Sequence, residues 1–235
     1  MATWIMHLRL ADKLLQYGFQ IELKTFYLGS LAPDFPIPND PQKKQSHFRD
    51  DINNRMQPED FYEAYLHNQQ HNSMTEAFLL GYYAHLLADV EWIGNVWRPF
   101  KHQFSDIAKQ IEADTQFAYD FKRLQYFGHD ILYLHESPDY PAWNIVKTAE
   151  TVTTGLPFLP DEDYLTWLKS DVTTNYDDSD LLRRAQHHDF PCLSKFDLQT
   201  WLDCTTGVLI EMFKGKDVPC PNPRSLWGGY IQPYA

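Results

Sequence analysis

The chain has 235 residues, which is enough for one sizeable domain with a hydrophobic core of its own. Its formal net charge is -12, and such an acidic exterior repels phosphates, which argues against a surface that binds nucleic acid or anionic membranes. Aromatic residues make up 15% of the sequence, so we expect large rings to fill the interior.

The sequence shows no targeting or membrane segment. The amino-terminal residues lack a basic stretch followed by a long apolar core, and no apolar run reaches the length of about 18 residues that a membrane-spanning helix needs. We therefore predict neither a signal peptide nor a stable membrane anchor. The cysteines Cys192, Cys204 and Cys220 form no CxxC pair, which indicates reduced thiols and a cytoplasmic protein. Cys204 is expected to be buried in a helix.

Apolar periodicity predicts helices in the first part of the chain. A stripe with a 3.6-residue period predicts a first helix over residues 3–17, with His7 facing inward. A second helical segment, 21–31, ends in the proline-rich stretch APDFPIP, which places Asp34 on a loop. Residues 36–56 are polar and are expected to form a long loop. A loop of this length in a compact domain suggests a function or a bound ligand.

Further helices are predicted along the rest of the chain. A strong one begins near Ser73, where Ser73 and Glu76 are expected to form a capping box, and runs to Trp92 or Trp97. Another runs over 105–136, with a break expected at Gly128. Shorter helices are expected over 141–153, 161–170 and 178–187, and a final amphipathic helix over 197–213.

Strand signals are sparse and unpaired, so the predicted fold is all-α, a single-domain multi-helical bundle with long loops. We expect residues 1–215 to form one helical metal-binding domain. Residues 216–235 are rich in proline and glycine and are expected to form an irregular carboxy-terminal strap.

Five histidine and aspartate residues lie on separate predicted segments: His7, Asp34, His47, His85 and Asp89. Each alone has an ordinary explanation, such as a hydrogen-bonded core histidine or an aspartate that forms a turn. The stretch GYYAHLLAD places His85 and Asp89 on one helical face, where they either share a metal ion or hydrogen-bond each other. Gly81 lies one turn earlier and would let another backbone approach this face. Imidazoles and carboxylates together suit Zn²⁺, and they also suit Mn²⁺ or Fe²⁺.

Four stretches resemble the zinc-dependent phospholipase C family, whose relatives include single-strand-specific zinc nucleases. They are WIMHLRLA, YLGSLAPDF, SHFRD and GYYAHLLADV, and they cover roughly residues 1–95. The resemblance implies an all-α enzyme that hydrolyses phosphodiesters with a cluster of zinc ions, one to three in number. It also implies that the five residues named above are metal ligands.

The resemblance further implies a role for each ligand. The carboxylate of Asp89 would bridge two metals, while His47, His85 and Asp34 would complete one site. His7 would serve the second site. Asp34 has an alternative role as the catalytic residue that orients or deprotonates the attacking water.

The sequence also departs from the family pattern. Secreted members use the amino group of a mature amino-terminal Trp as a ligand, whereas Trp4 here follows three other residues. Asn95 stands about where a further ligand histidine would fall, and no downstream His-x-x-x-Glu occurs. The residues that could replace these ligands are His102, His129, Asp130, His135 and Glu136. Among them His129 and Asp130 are placed best, either as further ligands or as neighbours of ligands.

Other histidines have simpler interpretations. The run His187, His188 and Asp189 is expected at the end of a helix, where basic side chains complement the helix dipole. His67 and His71 lie in a polar stretch and are expected to be solvated.

The predicted function is a metal-dependent hydrolase of phosphate esters, in which metal-activated water attacks phosphorus. The substrate is a small phosphate ester or a phospholipid, and nucleic acid is not expected. Two alternatives stay open: an HD-type metal phosphohydrolase centred on His129 and Asp130, and a non-catalytic helical module, which the missing downstream ligands favour. The two enzyme classes differ in the carboxylate that binds the metal, which is Asp89 in the phospholipase C-like enzyme and Asp130 in the HD-type enzyme. The sequence leaves the oligomeric state open.

Overall fold

The computed structural model describes residues 1–40, 43–110 and 115–216. Over these ranges the chain forms α-helices joined by turns and loops, with no β-strand, so the all-α prediction is confirmed. The helices are α1 (Trp4–Tyr17), α2 (Leu23–Gly29), α3 (Pro58–Tyr65), α4 (Ser73–Trp92), α5 (Arg98–Gln110), α6 (Thr115–Glu136), α7 (Pro141–Thr148), α8 (Asp161–Trp167), α9 (Ser179–Ala185) and α10 (Lys195–Gly215). Five-residue π-helical turns, Ile93–Trp97 and Leu168–Val172, follow α4 and α8.

Helix α4 begins one residue away from the predicted capping arrangement. Its N-cap is Asn72, whose side-chain oxygen accepts hydrogen bonds from two backbone N–H groups of the first turn. The predicted capping box between Ser73 and Glu76 is therefore wrong, because the N–H of Glu76, from which the side chain of Ser73 would have accepted a hydrogen bond, donates to the carbonyl oxygen of Asn72 at 3.0 Å. A capping box does occur at α10, between Ser194 and Asp197.

Helix α4 lies at the centre of the molecule, and every residue from position 77 to position 89 is buried. Helix α2 crosses it so closely that glycine is required on both sides of the contact. A Cβ on Gly81 would lie 2.3 Å from the carbonyl oxygen of Phe26, and a Cβ on Gly29 would lie 2.0 Å from that of Phe78. The approach of another backbone that was predicted at Gly81 is confirmed, and it brings the end of α2 beside His85.

Exchange of Gly81 for alanine is expected to lower the free energy of unfolding by about 1–3 kcal/mol, because the new methyl group would collide with the backbone of α2. Gly215→Ala is the matched control, since a Cβ at that position meets no atom within 4 Å. This control is expected to be neutral or slightly stabilising, because alanine favours the helix. Urea unfolding followed by circular dichroism measures both variants. Equal stability of the two would contradict the close contact between α2 and α4.

The long loop predicted over residues 36–56 is present in its described part, 36–40 and 43–56, and two aspartate side chains organise it. The carboxylate of Asp40 accepts hydrogen bonds from three successive backbone N–H groups, at positions 44, 45 and 46. The carboxylate of Asp50 accepts from those at positions 52, 53 and 55. These bonds hold His47 in a defined, fully buried place without a regular helix. Helix α3, which follows the loop, was not predicted.

Two details of the later helices differ from expectation. Helix α6 is continuous, so the break predicted at Gly128 is wrong. A Cβ on Gly128 would lie 3.0 Å from the ring of Phe190, which shows that this glycine serves side-chain packing. Cys204 lies in α10 as expected, but its predicted burial is wrong because it is exposed. The buried face of α10 at this point contains Trp201 and Leu202, and Cys204 lies outside that face. The predicted strap lies outside the described residues apart from position 216.

Within the part of the chain that the structure describes, no helix has both the length and the apolar character needed to cross a membrane.

Candidate metal centre

The five histidine and aspartate residues singled out in the sequence meet beside α4. They come from α1 (His7), a 3₁₀ turn after α2 (Asp34), the long loop (His47) and α4 itself (His85 and Asp89). Asp89 is the common neighbour: its carboxylate oxygens lie 3.4 Å from Nε2 of His7, 3.5 Å from Nε2 of His47 and 3.6 Å from Nε2 of His85. Nε2 of His47 is also 3.7 Å from Oδ1 of Asp34. Two overlapping groups with metal-ligand spacing result, His7–His85–Asp89 and Asp34–His47–His85.

These separations can be compared with those expected for each of the two interpretations of the pair His85 and Asp89. N–H···O hydrogen bonds span about 2.7–3.2 Å, so the contact of 3.6 Å between His85 and Asp89 is too long for one. Neighbouring ligand atoms of a tetrahedral site with bonds of about 2.0–2.1 Å lie about 3.3–3.4 Å apart. The observed separations of 3.4 to 3.7 Å are close to that value. The geometry therefore suits a shared cation better than a direct hydrogen bond.

Several polar atoms of the centre are buried without a hydrogen-bond partner. They are both ring nitrogens of His7, Nε2 of His47, Nε2 of His85 and Oδ2 of Asp89. A buried polar atom left unsatisfied costs about 1–3 kcal/mol, so such a cluster calls for an explanation. A divalent cation among these atoms would satisfy the imidazole lone pairs and the carboxylate oxygen together. The residues present therefore fit a metal ion.

Neighbouring groups orient two of the imidazoles. Nδ1 of His85 lies 2.8 Å from the carbonyl oxygen of Ser30, and because a carbonyl only accepts, Nδ1 carries the proton. This hydrogen bond leaves the lone pair of Nε2 directed at the centre. Nδ1 of His47 lies 3.0 Å from Oγ of Ser46, whose carbonyl oxygen accepts a hydrogen bond of 2.5 Å from the hydroxyl of Tyr82. The ring of His7 stacks on that of His85 with 3.6 Å between centroids.

The two carboxylates have different surroundings. Oδ1 of Asp89 accepts a hydrogen bond of 2.8 Å from the backbone N–H of Ala2. Oδ2 of Asp34 accepts one of 3.0 Å from the indole N–H of Trp4, and its Oδ1 forms an ion pair with the ammonium of Lys43. Sequence reasoning missed Lys43, since no motif marks it.

Burial sets the protonation of the centre. Burial lowers the pKa of His7 to about 4 and also lowers that of His47, so both imidazoles are neutral at neutral pH. Burial alone would raise the pKa of Asp34, but the charge of Lys43 and the nearby imidazoles hold it below its usual range. The pKa of Asp89 likewise stays well below its usual range despite burial, because of the positive amino terminus and the three facing histidines. Neutral imidazoles and ionised carboxylates are the forms that bind metals.

The structure does not bring His129 and Asp130 to this centre. Nε2 of His129 lies 2.6 Å from the carbonyl oxygen of Leu193, and Oδ2 of Asp130 accepts a hydrogen bond of 2.8 Å from the hydroxyl of Tyr176. Within the described ranges neither belongs to a group with metal-ligand spacing. The carboxylate among the histidines is that of Asp89, so the geometry does not favour the HD-type alternative.

The other downstream candidates also lie elsewhere. His102, His135 and Glu136 are exposed. Asn95 is exposed too, and its side-chain NH₂ donates to Oε2 of Glu91 at 2.8 Å.

The remaining histidines lie largely as expected. The run His187, His188 and Asp189 follows the end of α9, with His187 and Asp189 exposed. His67 is exposed, whereas His71 is half-buried and lies 2.7 Å from the carbonyl oxygen of Tyr65.

Replacement of Asp130 by asparagine is expected to stabilise the protein at alkaline pH. Burial raises the pKa of Asp130 from 3.8 to about 7, although hydrogen bonds from Thr3 and Tyr176 act in the opposite direction. Because the folded-state pKa lies above the unfolded value, the stabilising contribution of the neutral carboxyl is lost as the pH rises through about 7. The cost is about 1.4 kcal/mol for each unit by which the pKa is raised.

The free energies of unfolding of wild type and Asp130→Asn, measured in urea between about pH 5 and pH 8, check this expectation. Wild type should lose more stability over this range than the variant does. Parallel pH profiles would contradict a carboxyl group that is neutral in the folded state.

Comparison with protein families agrees with this geometry. A family model described as zinc-dependent phospholipase C matches residues 2–179, a range that contains all five residues of the centre. Comparisons with curated proteins and with solved structures gave no match. The match extends well beyond the first 95 residues on which the sequence resemblance rested. Because it covers most of the chain, the chain belongs to the zinc-dependent phospholipase C family.

Proposed function

We propose that the protein is a zinc-dependent hydrolase of phosphate esters, a phospholipase C-like phosphodiesterase. One observation carries the proposal: buried imidazole nitrogens and a carboxylate oxygen without hydrogen-bond partners face one another at the spacing of ligands around a tetrahedral metal. Membership of the family supports both zinc and phosphate-ester chemistry.

Asp34, His47, His85 and Asp89 would hold one ion with four donors. His85 has one free ring nitrogen, because Nδ1 is engaged with Ser30, so it serves one ion and not two. His7 and Asp89 then remain as side-chain donors toward a second ion. Zn²⁺ in such a site supplies Lewis acidity and lowers the pKa of a water molecule to about 7.

We assign Asp34 the role of orienting or deprotonating the attacking water. It is the most exposed residue of the five, at 9%, and its carboxylate is held on both oxygens by Trp4 and Lys43. Its depressed pKa keeps the carboxylate ionised at neutral pH, which is the form that can accept a hydrogen bond from the attacking water. The buried imidazoles, neutral in the absence of metal, serve as ligands and not as proton carriers.

Hydrolysis of bis(p-nitrophenyl) phosphate, p-nitrophenyl phosphate and micellar phosphatidylcholine by zinc-loaded protein tests the proposal. We expect nitrophenol release that chelation abolishes and that zinc restores. The phosphatidylcholine arm separates a lipid from a small soluble substrate.

A non-catalytic metal-binding module is the second candidate, and the exposed Asn95 favours it, since no downstream residue completes a larger metal cluster in the described ranges. Full zinc content without turnover of any of the three substrates would support this candidate and contradict the proposed hydrolase.

A further inference from the structure

We propose that Lys43 binds a phosphoryl oxygen of the substrate at the open edge of the metal centre. The inference rests on the proposed function and names a substrate-binding residue that the sequence did not mark. It follows from where the centre is accessible, from the charges around it and from the way the backbone holds this lysine.

Among its five residues, the centre comes closest to solvent at Asp34. The other four residues are almost fully buried, at 0–1% exposed: His7, His47, His85 and Asp89. A substrate therefore cannot contact them directly from solvent. Asp34 is 9% exposed and forms the edge. The side chain of Lys43 is 32% exposed, and its ammonium rests on Oδ1 of Asp34. A phosphate group that enters at this edge therefore meets Lys43 as it reaches the ligands.

Lys43 also supplies the positive charge that the surroundings lack. Among the ion pairs of the described residues, it is the lysine that contacts a residue of the centre, whereas the other lysines and arginines pair with carboxylates elsewhere. The whole chain carries a formal charge of -12, which disfavours an anionic phosphate ester unless a local cation offsets it. An ammonium is a compact charge with three donors, suited to the oxygens of a phosphoryl group.

The backbone places Lys43 in a fixed relation to the metal ligands. Its φ of 52° is left-handed, and its N–H donates to the carbonyl oxygen of Asp40 at 2.9 Å. Its own carbonyl oxygen accepts from the N–H of His47 at 3.0 Å. The turn that positions His47 at the centre therefore also positions the backbone of Lys43 beside it. The shared turn fixes the backbone of Lys43 relative to His47, and the flexible side chain of Lys43 reaches Asp34 from that fixed position.

The small number of side chains that can bind metal suggests a role for the charge of Lys43. One ion takes four donors, and the side chains left over are His7 and a shared Asp89. With so few donors for a second ion, a lysine that neutralises the phosphoryl oxygens supports binding without a further metal. When substrate binds, Lys43 would exchange its contact with Oδ1 of Asp34 for a contact with the phosphoryl oxygen.

The test is binding of inorganic phosphate to zinc-loaded protein by isothermal titration calorimetry, for wild type, Lys43→Gln, Lys43→Arg and Lys44→Gln. Lys44 is the matched control, because it is the adjacent lysine, its side chain is exposed to a similar extent, at 39%, and it pairs with Asp51 at 2.9 Å and not with a residue of the centre. We expect Lys43→Gln to raise the Kd of phosphate by about 10- to 100-fold at unchanged zinc content, the range for a charge-assisted hydrogen bond. Lys43→Arg should retain most of the affinity, and Lys44→Gln should stay close to wild type.

Three results would overturn the inference: equal phosphate affinity in Lys43→Gln and Lys44→Gln, no phosphate binding by zinc-loaded wild type, or a loss of zinc from Lys43→Gln that accounts for its weaker binding. Ester hydrolysis distinguishes this failure from failure of the proposed function. Phosphate binding that depends on Lys43 without turnover would refute the hydrolase alone. Turnover with a KM that Lys43→Gln leaves unchanged would refute the role of Lys43 alone.

Discussion

The Asp89→Asn variant is expected to lose at least about 10³-fold in kcat/KM toward phosphate esters, equivalent to about 4 kcal/mol of transition-state stabilisation. Asp89 is the residue that all three histidines of the centre face, at 3.4 to 3.6 Å. An amide has no negative charge to bind the cation, and it would leave the buried imidazoles without their shared partner. Steady-state hydrolysis of bis(p-nitrophenyl) phosphate measures the loss.

Asp130→Asn is the matched control for this experiment. Both aspartates are almost fully inaccessible to solvent, but Asp130 contacts Tyr176 and lies outside both groups with metal-ligand spacing. The control should therefore keep wild-type activity and zinc content. Equal losses in the two variants would mean that any buried aspartate is needed for folding, and full activity of Asp89→Asn would contradict its place at the centre.

Removal of the metal is expected to lower thermal stability as well as activity. Without a cation the centre contains buried nitrogen and oxygen atoms that lack partners, and Asp34 and Asp89 remain charged in the interior. A ligand that binds only the folded state at 100 to 1,000 times its Kd stabilises by about 2.7–4.1 kcal/mol. For a chain of this size the corresponding fall in Tm on chelation is roughly 5–15 °C.

Differential scanning calorimetry with zinc and with a chelator measures this change in Tm. The double variant His85→Ala, Asp89→Ala is the control, and its Tm should not respond to zinc. A Tm of wild type that zinc and chelator leave unchanged would show that the centre is satisfied without an ion. A response of the same size in the double variant would place the zinc effect elsewhere on the protein.

Much of the fold was predictable because the apolar pattern of the long helices is strong. The stripe over residues 3–17 correctly predicted α1 and the inward position of His7, and the pattern after position 73 correctly predicted α4. Ends of helices were less predictable, since Asn72, Ser73 and Glu76 offer competing caps and the backbone geometry decides among them. Helix α3 has a single buried residue, Phe61, so its periodicity was too weak to recognise.

That the five residues of the centre converge was predictable because the segments that carry them match a family pattern, and their role as metal ligands stays a prediction. Their mutual distances were not predictable, since they depend on how closely α2 approaches α4 at Gly29 and Gly81. The contact of Lys43 with Asp34 was equally hidden, because it depends on a left-handed backbone at Lys43 that no sequence motif marks. The position of His129 and Asp130 away from the centre was unpredictable for a similar reason. Helical periodicity predicts which residues of α6 face inward, but it does not predict which helices they contact.

Elemental analysis of purified protein, beside the His85→Ala, Asp89→Ala double variant, tests the central claim most directly. We predict stoichiometric transition metal, predominantly zinc, in wild type under metal-replete conditions and its loss from the double variant, whose circular dichroism should remain helical. Wild type without stoichiometric metal, or a double variant that retains all of it, would contradict the metal centre.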